Sequence, residues 1–201
     1  MQKEVYIYNC LQYILTRLLI LILILLLSAC KNEYTPRPKG YFRIDFPEKK
    51  YQEYKSDCPY TFEYPVYGVI VEYNRYNSEP CWIDIEFPKN KGKIHITYKT
   101  LNNNLARHIE DIRTLAYKHL IKADDIIENQ IIFPERKVFG LLYNIEGNTA
   151  SSVNFFITDS IENFFSGALY FYVKPNKDSL DPVISFFKKD IEHLIETFKW
   201  N

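Results

Sequence analysis

Residues 137–173 read KVFGLLYNIEGNTASSVNFFITDSIENFFSGALYFYV. Three β-rich runs stand in this stretch: Lys137 to Ile145, Ala150 to Thr158 and Phe164 to Val173. Short polar turns, Glu146-Gly147-Asn148 and Asp159 to Asn163, join them. Runs of that length between tight turns predict a meander of antiparallel strands. The third run is apolar at odd and even positions alike. A strand of that kind is covered on both faces, by helices or by another protein.

Upstream, Ile126 to Phe133 reads as one more strand. Before it the period changes. Leu105, Ile109, Ile112 and Ala116, with Leu115 alongside, recur at helical spacing and predict an amphipathic helix over Asn104 to Ile121. Asn103 or Asn104 can cap its start. Closer to the N-terminus, short aromatic runs at Tyr41 to Phe46, Tyr60 to Tyr64, Tyr67 to Tyr73 and Cys81 to Phe87 are punctuated by prolines. Gly92 to Lys99 alternates with Ile94, Ile96 and Tyr98 on one face. Downstream of the meander, Asp181-Pro182 predicts a helix start, with Pro182 at the first helical position. Leu180, Ile184, Phe187, Ile191, Leu194 or Ile195, and Phe198 form an apolar stripe that runs to near Trp200.

The order is strands, helix, meander, helix. It predicts an α+β domain in which two amphipathic helices pack on an antiparallel sheet. In element order it resembles the Mog1/PsbP type of fold, a likeness that fixes no function.

The N-terminus carries a different signal. Leu18 to Leu27 is an unbroken run of Leu and Ile behind Arg17. It is too short for a bilayer core, which needs about 20 apolar residues, and it fits the h-region of a signal peptide. Leu27-Ser28-Ala29-Cys30 then resembles the bacterial lipobox. The expected division is a lipoprotein signal peptide over 1–29, a lipidated tether over 30–40 held extended by Pro36 and Pro38, and a single α+β domain over 41–201. Cys30 is the expected lipid attachment site, and several acyl chains there give stable attachment to a membrane. Lys31, where Asp retains well-studied lipoproteins in the inner membrane, leans the expected location toward the outer membrane, facing the periplasm. The stretch before Arg17 is long for an n-region and carries Glu4, which predicts a translation start downstream of Met1.

Of the 4 cysteines, Cys10 lies in the signal segment and Cys30 takes lipid. Cys58 and Cys81 remain, in an oxidising compartment. A disulfide between them is the economical reading, and two free buried thiols the alternative. In the chain-entropy model the bond contributes about 3.4 kcal/mol.

Composition limits the chemistry. Lys plus Arg and Asp plus Glu are each 25 in 201 residues, so the net charge is zero and no nucleic-acid partner is expected. Gly is only 6, and no phosphate-cradling loop occurs. Tyr 17 and Phe 14 are the excess, which serves either a sheet core or a partner-binding face. The 4 histidines, His95, His108, His119 and His193, show no metal-ligand spacing. His95 is expected to be solvated and His193 to sit at the edge of the last apolar stripe. Ser151-Ser152 lacks a nucleophile elbow. Asp124, Asp125 and Glu128 read as a solvated acidic turn. Asp84 and Glu86, a candidate acid–base pair on one strand face, read as surface carboxylates. No metal, no cofactor and no catalytic residue are predicted.

Several long segments carry a resemblance together. They are YTPRPKGYFRIDFPEKKY (34–51), CPYTFEYP (58–65), CWIDIEFP (81–88), KIHITYK (93–99), ARHIEDIRTLAYKH (106–119), GNTASSVNFFITDS (147–160) and LYFYVKPNKDSLDPVISFFKKDIEHLIETFKW (169–200). The chain resembles the GldD family of gliding-motility lipoproteins of the Bacteroidota. The resemblance implies a membrane-anchored, non-enzymatic lipoprotein required for gliding motility. It would assemble or stabilise the gliding and type IX secretion machinery, whose proteins are its implied partners beside the membrane lipid on Cys30. The alternative is an envelope lipoprotein that binds a small molecule or a cell-envelope polymer in an apolar pocket.

Overall fold

Alternating strands and helical stripes leave apolar faces that must meet. The computed structural model describes residues 12–23, 44–73, 78–118, 123–173 and 177–201. The chain divides into two units, Met1–Tyr41 and Phe42–Asn201. Helix α1 (12–23) belongs to the first, and no helix among the described residues is long and apolar enough to cross a membrane. Cys30 and the Tyr34–Gly40 tether lie outside the described residues.

The second unit is α+β, with antiparallel pairing throughout. Its strands are β1 (Tyr51–Tyr54), β2 (Tyr60–Pro65), β3 (Val69–Glu72), β4 (Ile83–Phe87), β5 (Gly92–Thr100), β6 (Ala123–Phe133), β7 (Val138–Gly147), β8 (Ser151–Thr158), β9 (Asn163–Phe171) and β10 (Lys199–Trp200). Its helices are α2 (Leu105–Tyr117) and α3 (Lys177–Thr197). A seven-stranded sheet runs β3-β4-β5-β9-β8-β7-β6, and a three-stranded one runs β1-β2-β10. The expected meander is β7 to β9, and β6 extends it by one more antiparallel strand. The meander's last strand returns to pair with β5, from Gly92 opposite Phe171 to Thr100 opposite Asn163.

The two faces of the large sheet have separate cores. On one, Phe155, Ile157, Phe165 and Leu169 meet Phe187, Ile191, Leu194 and Phe198, with Tyr60 and Phe62 of the small sheet in the same cluster. On the other, Tyr143, Phe156 and Phe164 meet Ala116, Leu105, Ile109 and Ile112 of α2. The doubly apolar β9 is thus divided between two helices. Phe164 faces α2, and Phe165 faces the α3 side.

Two hairpins repeat one local device. Phe87-Pro88 and Phe133-Pro134 each open a single 3-10 turn that closes on a lysine, Lys91 (φ 49°) or Lys137 (φ 53°), in the left-handed region. Proline fits there because its fixed φ suits the turn and its missing N–H is not needed. Arg136 of the second turn reaches the end of α3, donating to the carbonyls of Glu196 (2.6 Å) and Phe198 (3.0 Å). Its cation thereby meets the negative end of the helix dipole.

Several boundaries depart from expectation. In the expected strand at Tyr41 to Phe46, the described residues 44–46 join no strand. Pro47 has no N–H to give a ladder, and Phe46 instead stacks on Phe186 at 4.3 Å. β1 forms next in the chain, paired to β2 from Tyr51 opposite Pro65 to Tyr54 opposite Phe62. Asn104 does stand at the N-cap of α2, but its side chain makes no cap bond and accepts from Asn102 N instead. Helix α3 begins at Lys177, so Pro182 lies inside it rather than at its first position. The chain leaves that helix after Thr197, and Lys199 and Trp200 form β10 against β2.

Candidate functional site

Cys58 precedes β2 and Cys81 precedes β4. The fold brings their Cα atoms to 5.7 Å with the sulfurs bonded. Tyr60, wholly buried, donates its hydroxyl to the Cys81 carbonyl (2.7 Å), and burial pushes that hydroxyl far above its ordinary range. Cys30, the other expected site residue, lies outside the described residues.

The two carboxylates on β4 differ in setting, and only Glu86 is partly exposed. Asp84 is 5% exposed, so it is no surface carboxylate. The strand register explains the difference. Asp84 lies opposite His95, and Lys93 is one step along the same face of β5. Asp84 accepts from Lys93 Nζ on one oxygen (2.6 Å) and lies 2.6 Å from His95 Nδ1 on the other. Burial draws the Lys93 ammonium down, but the bond and charge of Asp84 outweigh it and hold Lys93 above its usual value. His95 is correspondingly not free in solvent. Its ring lies 4.6 Å from that of Tyr73 and 6.2 Å from that of Trp82.

Beside this cluster α2 leaves part of the sheet face open. A cleft of about 210 Å³ separates the helix from β5, β8 and β9. Ile112 and Leu115 form one wall, and His95, Thr97, Ser166 and Asn154 the other. Thr97 and Ser166 share a hydroxyl hydrogen bond of 2.7 Å. Asn154 is 1% exposed. Its Oδ1 accepts from Ser151, while its Nδ2 has no partner among the described residues. A carboxylate-oriented imidazole is half of a catalytic pairing. Among the described residues, however, His95 has only Asp84 as a hydrogen-bond partner, and Ser166 bonds Thr97. The arrangement can orient a small polar group; it does not activate a nucleophile.

A second buried carboxylate joins the small sheet side to α3. Asp190 is 1% exposed within the apolar stripe of that helix. It accepts from Lys49 Nζ (2.6 Å), Tyr51 Oη (3.0 Å) and Tyr67 Oη (2.7 Å). Lys49 also donates to the Phe186 carbonyl and sits 3.4 Å over the Phe186 ring. Burial lowers the Lys49 ammonium despite Asp190, and burial together with Asp190 raises both tyrosine hydroxyls. Such a closed network is structural.

Of the remaining histidines, His193 Nε2 lies 2.7 Å from Glu63 and its ring stacks on Tyr51 at 3.6 Å. His108 lies against Phe164, and burial with nearby Lys99 lowers its pKa. His119 falls outside the described residues. No group of three or more His, Cys, Asp or Glu among the described residues could hold a metal ion. The acidic residues expected in a turn, Asp124, Asp125 and Glu128, lie in β6 instead, because that strand begins at Ala123. Sequence reading missed Lys49, Lys93 and Asp190 altogether. The one available signal was Asp190 itself, a charge between Phe187 and Ile191 on an apolar stripe.

A family model described as gliding motility lipoprotein GldD matches residues 31–200. No curated protein matches the chain. Among solved structures it is similar to the solution structure of cyanobacterial PsbP (CyanoP) from Synechocystis sp. PCC 6803. The identity is 12% and the TM-score 0.44, over 83% of this chain and 99% of that one.

Proposed function

We propose that this chain, which belongs to the gliding motility lipoprotein GldD family, is a membrane-anchored, non-enzymatic component that assembles or stabilises the gliding and type IX secretion machinery. The observation that carries the reading is the extent of the family match, residues 31–200, directly after the lipobox cysteine. In this account residues 1–29 are removed, Cys30 receives lipid, 30–40 tether the protein and 41–201 form its working domain in the periplasm, at the outer membrane. The Cys58–Cys81 bond belongs to that oxidising compartment. The closed networks around Asp84 and Asp190 suit a rigid scaffold.

A deletion strain complemented with wild type or Cys30→Ala tests the anchor. The variant is expected to leave the membrane fraction and to fail to restore motility. Restored motility from a fully soluble form would overturn the requirement for lipid.

The cleft beside α2 favours a second reading, an envelope lipoprotein that binds a small molecule or a polymer unit. Its Asn154 Nδ2, without a partner among the described residues, is the specific observation. Asn154→Leu separates the two readings. Motility with unchanged partner recovery in that variant leaves scaffolding as the function, whereas lost motility with partners still recovered favours ligand binding.

A further inference from the structure

Strand β6 ends the large sheet. It pairs with β7 on one side and with no described strand on the other. It is also the longest strand, 11 residues from Ala123 to Phe133, and Ile131 is its only buried residue. An unpaired edge offers a row of N–H and C=O groups to any extended chain, and native edges are blunted by brevity, Lys, Pro or bulges. The opposite edge, β3, is indeed short, with 4 residues. β6 has no Lys, Arg or Pro, and its last residues, Asn129-Gln130-Ile131-Ile132-Phe133, carry no charge. Its one irregularity falls at the start, between Ala123 and Asp125, and the register with β7 is then unbroken to Phe133.

We infer that β6 is the docking strand for an extended segment of a partner protein, basic where it runs along Asp125 and Glu128 and apolar where it runs along Ile132. Main-chain bonds supply attachment in this mode, and alternate side chains supply the choice of partner. Among the described residues no cation pairs with Asp125 or Glu128. Asp125 accepts from Ile126 N, and Glu128 accepts from Tyr117 Oη. A basic partner segment therefore meets negative charge that no described cation compensates. A second copy does not fit. Full antiparallel overlap of β6 with itself centres on Glu128 and sets it against its own copy, while parallel overlap aligns all three carboxylates, and like charges opposite each other are destabilising. The inference rests on the assembly reading and adds the chemistry of the contact.

The test uses the full chain in its own cells, with a photo-crosslinking residue placed in turn at Ile127, Asn129 and Ile132. A control at Ile161, 71% exposed in the β8–β9 turn, reports nonspecific capture. The expected result is capture of one segment of one protein from all three β6 positions. The attachment points should advance along that segment in order, with Lys or Arg near the site reached from Ile127. Asp125→Lys should lower the yield at Asn129 about ten-fold, one cross-strand attraction being exchanged for a repulsion. Ile132→Lys, at a site 56% exposed, gives a second block that does not depend on Asp125. The thermal midpoint of each purified variant should match wild type. Links between two copies, links scattered over unrelated segments, or no links from β6 while tagged wild type still recovers machinery subunits would overturn the docking strand and leave the assembly reading standing. Failure to recover any subunit with wild type would overturn that reading as well.

Discussion

Asp190 shows how one side chain ties together separate parts of the fold. Its carboxylate holds three donors from segments far away in sequence. Removing one partner of a buried pair leaves the other charge uncompensated, at about 3–5 kcal/mol. Lys49 keeps 27% exposure of its side chain, so Asp190→Ala should cost about 3 kcal/mol in urea unfolding, the low end of that range. Asp190→Leu combined with Lys49→Met should recover much of the loss. No recovery would show that the tyrosines, not the ion pair, carry the effect. Asp159 makes a pH-dependent case. Burial raises its pKa, but hydrogen bonds from Asn163, Ile161 and Glu162 outweigh it and leave it below the usual value of 3.8. Its stabilisation is therefore complete above about pH 3.8 and lost as pH falls through the depressed value. The stability gap between wild type and Asp159→Asn should be open at neutral pH and close in strong acid, once the carboxyl is protonated in the folded state as well. A gap that persists in acid would assign it to geometry rather than charge. The sequence offered only Asp190's place on an apolar stripe, because hydrophobic pattern marks every Asp as polar and says nothing of what lies across the sheet.

The meander was legible from the short polar turns between its apolar runs, and the two helices from their 3.6-residue period and long apolar stripes. β1 and β10 were not. β1 has 4 residues and β10 has 2, and both exist through pairing with β2, a contact that no local pattern encodes. β8 and β9 are buried over almost their whole length, so alternation is lost and only turns mark their limits. Gly140 in β7 is a close-approach position of the same hidden kind. A Cβ there would stand 1.9 Å from the Phe156 carbonyl oxygen. Backbone cannot yield as a flexible side chain does, so Gly140→Ala should cost about 3 kcal/mol by overpacking and loosen β7 from β8. Hydrogen exchange at Leu141 and Phe156 checks this; unchanged protection at both would show that the pair absorbs a methyl group.

The domain combines two cores on one sheet with a clamp at each end. Arg136 and Trp200 hold the end of α3 to the β6–β7 turn, and the Cys58–Cys81 bond ties the entry of β2 to that of β4. Cys58→Ser should lower stability by about 3 kcal/mol, and reducing agent should bring wild type to the same value. A reductant-insensitive wild type would mean that the thiols are free in the cell. The family-spanning segments were readable from sequence alone. The open β6 edge was not, since edge position is a property of strand order. The most direct measurement is recovery of tagged, lipidated protein from membranes after crosslinking in living cells, with co-recovered proteins identified by mass spectrometry. The account predicts gliding and secretion subunits, in amounts that fall sharply for Cys30→Ala. Recovery of none, under conditions that capture known envelope complexes, would contradict it.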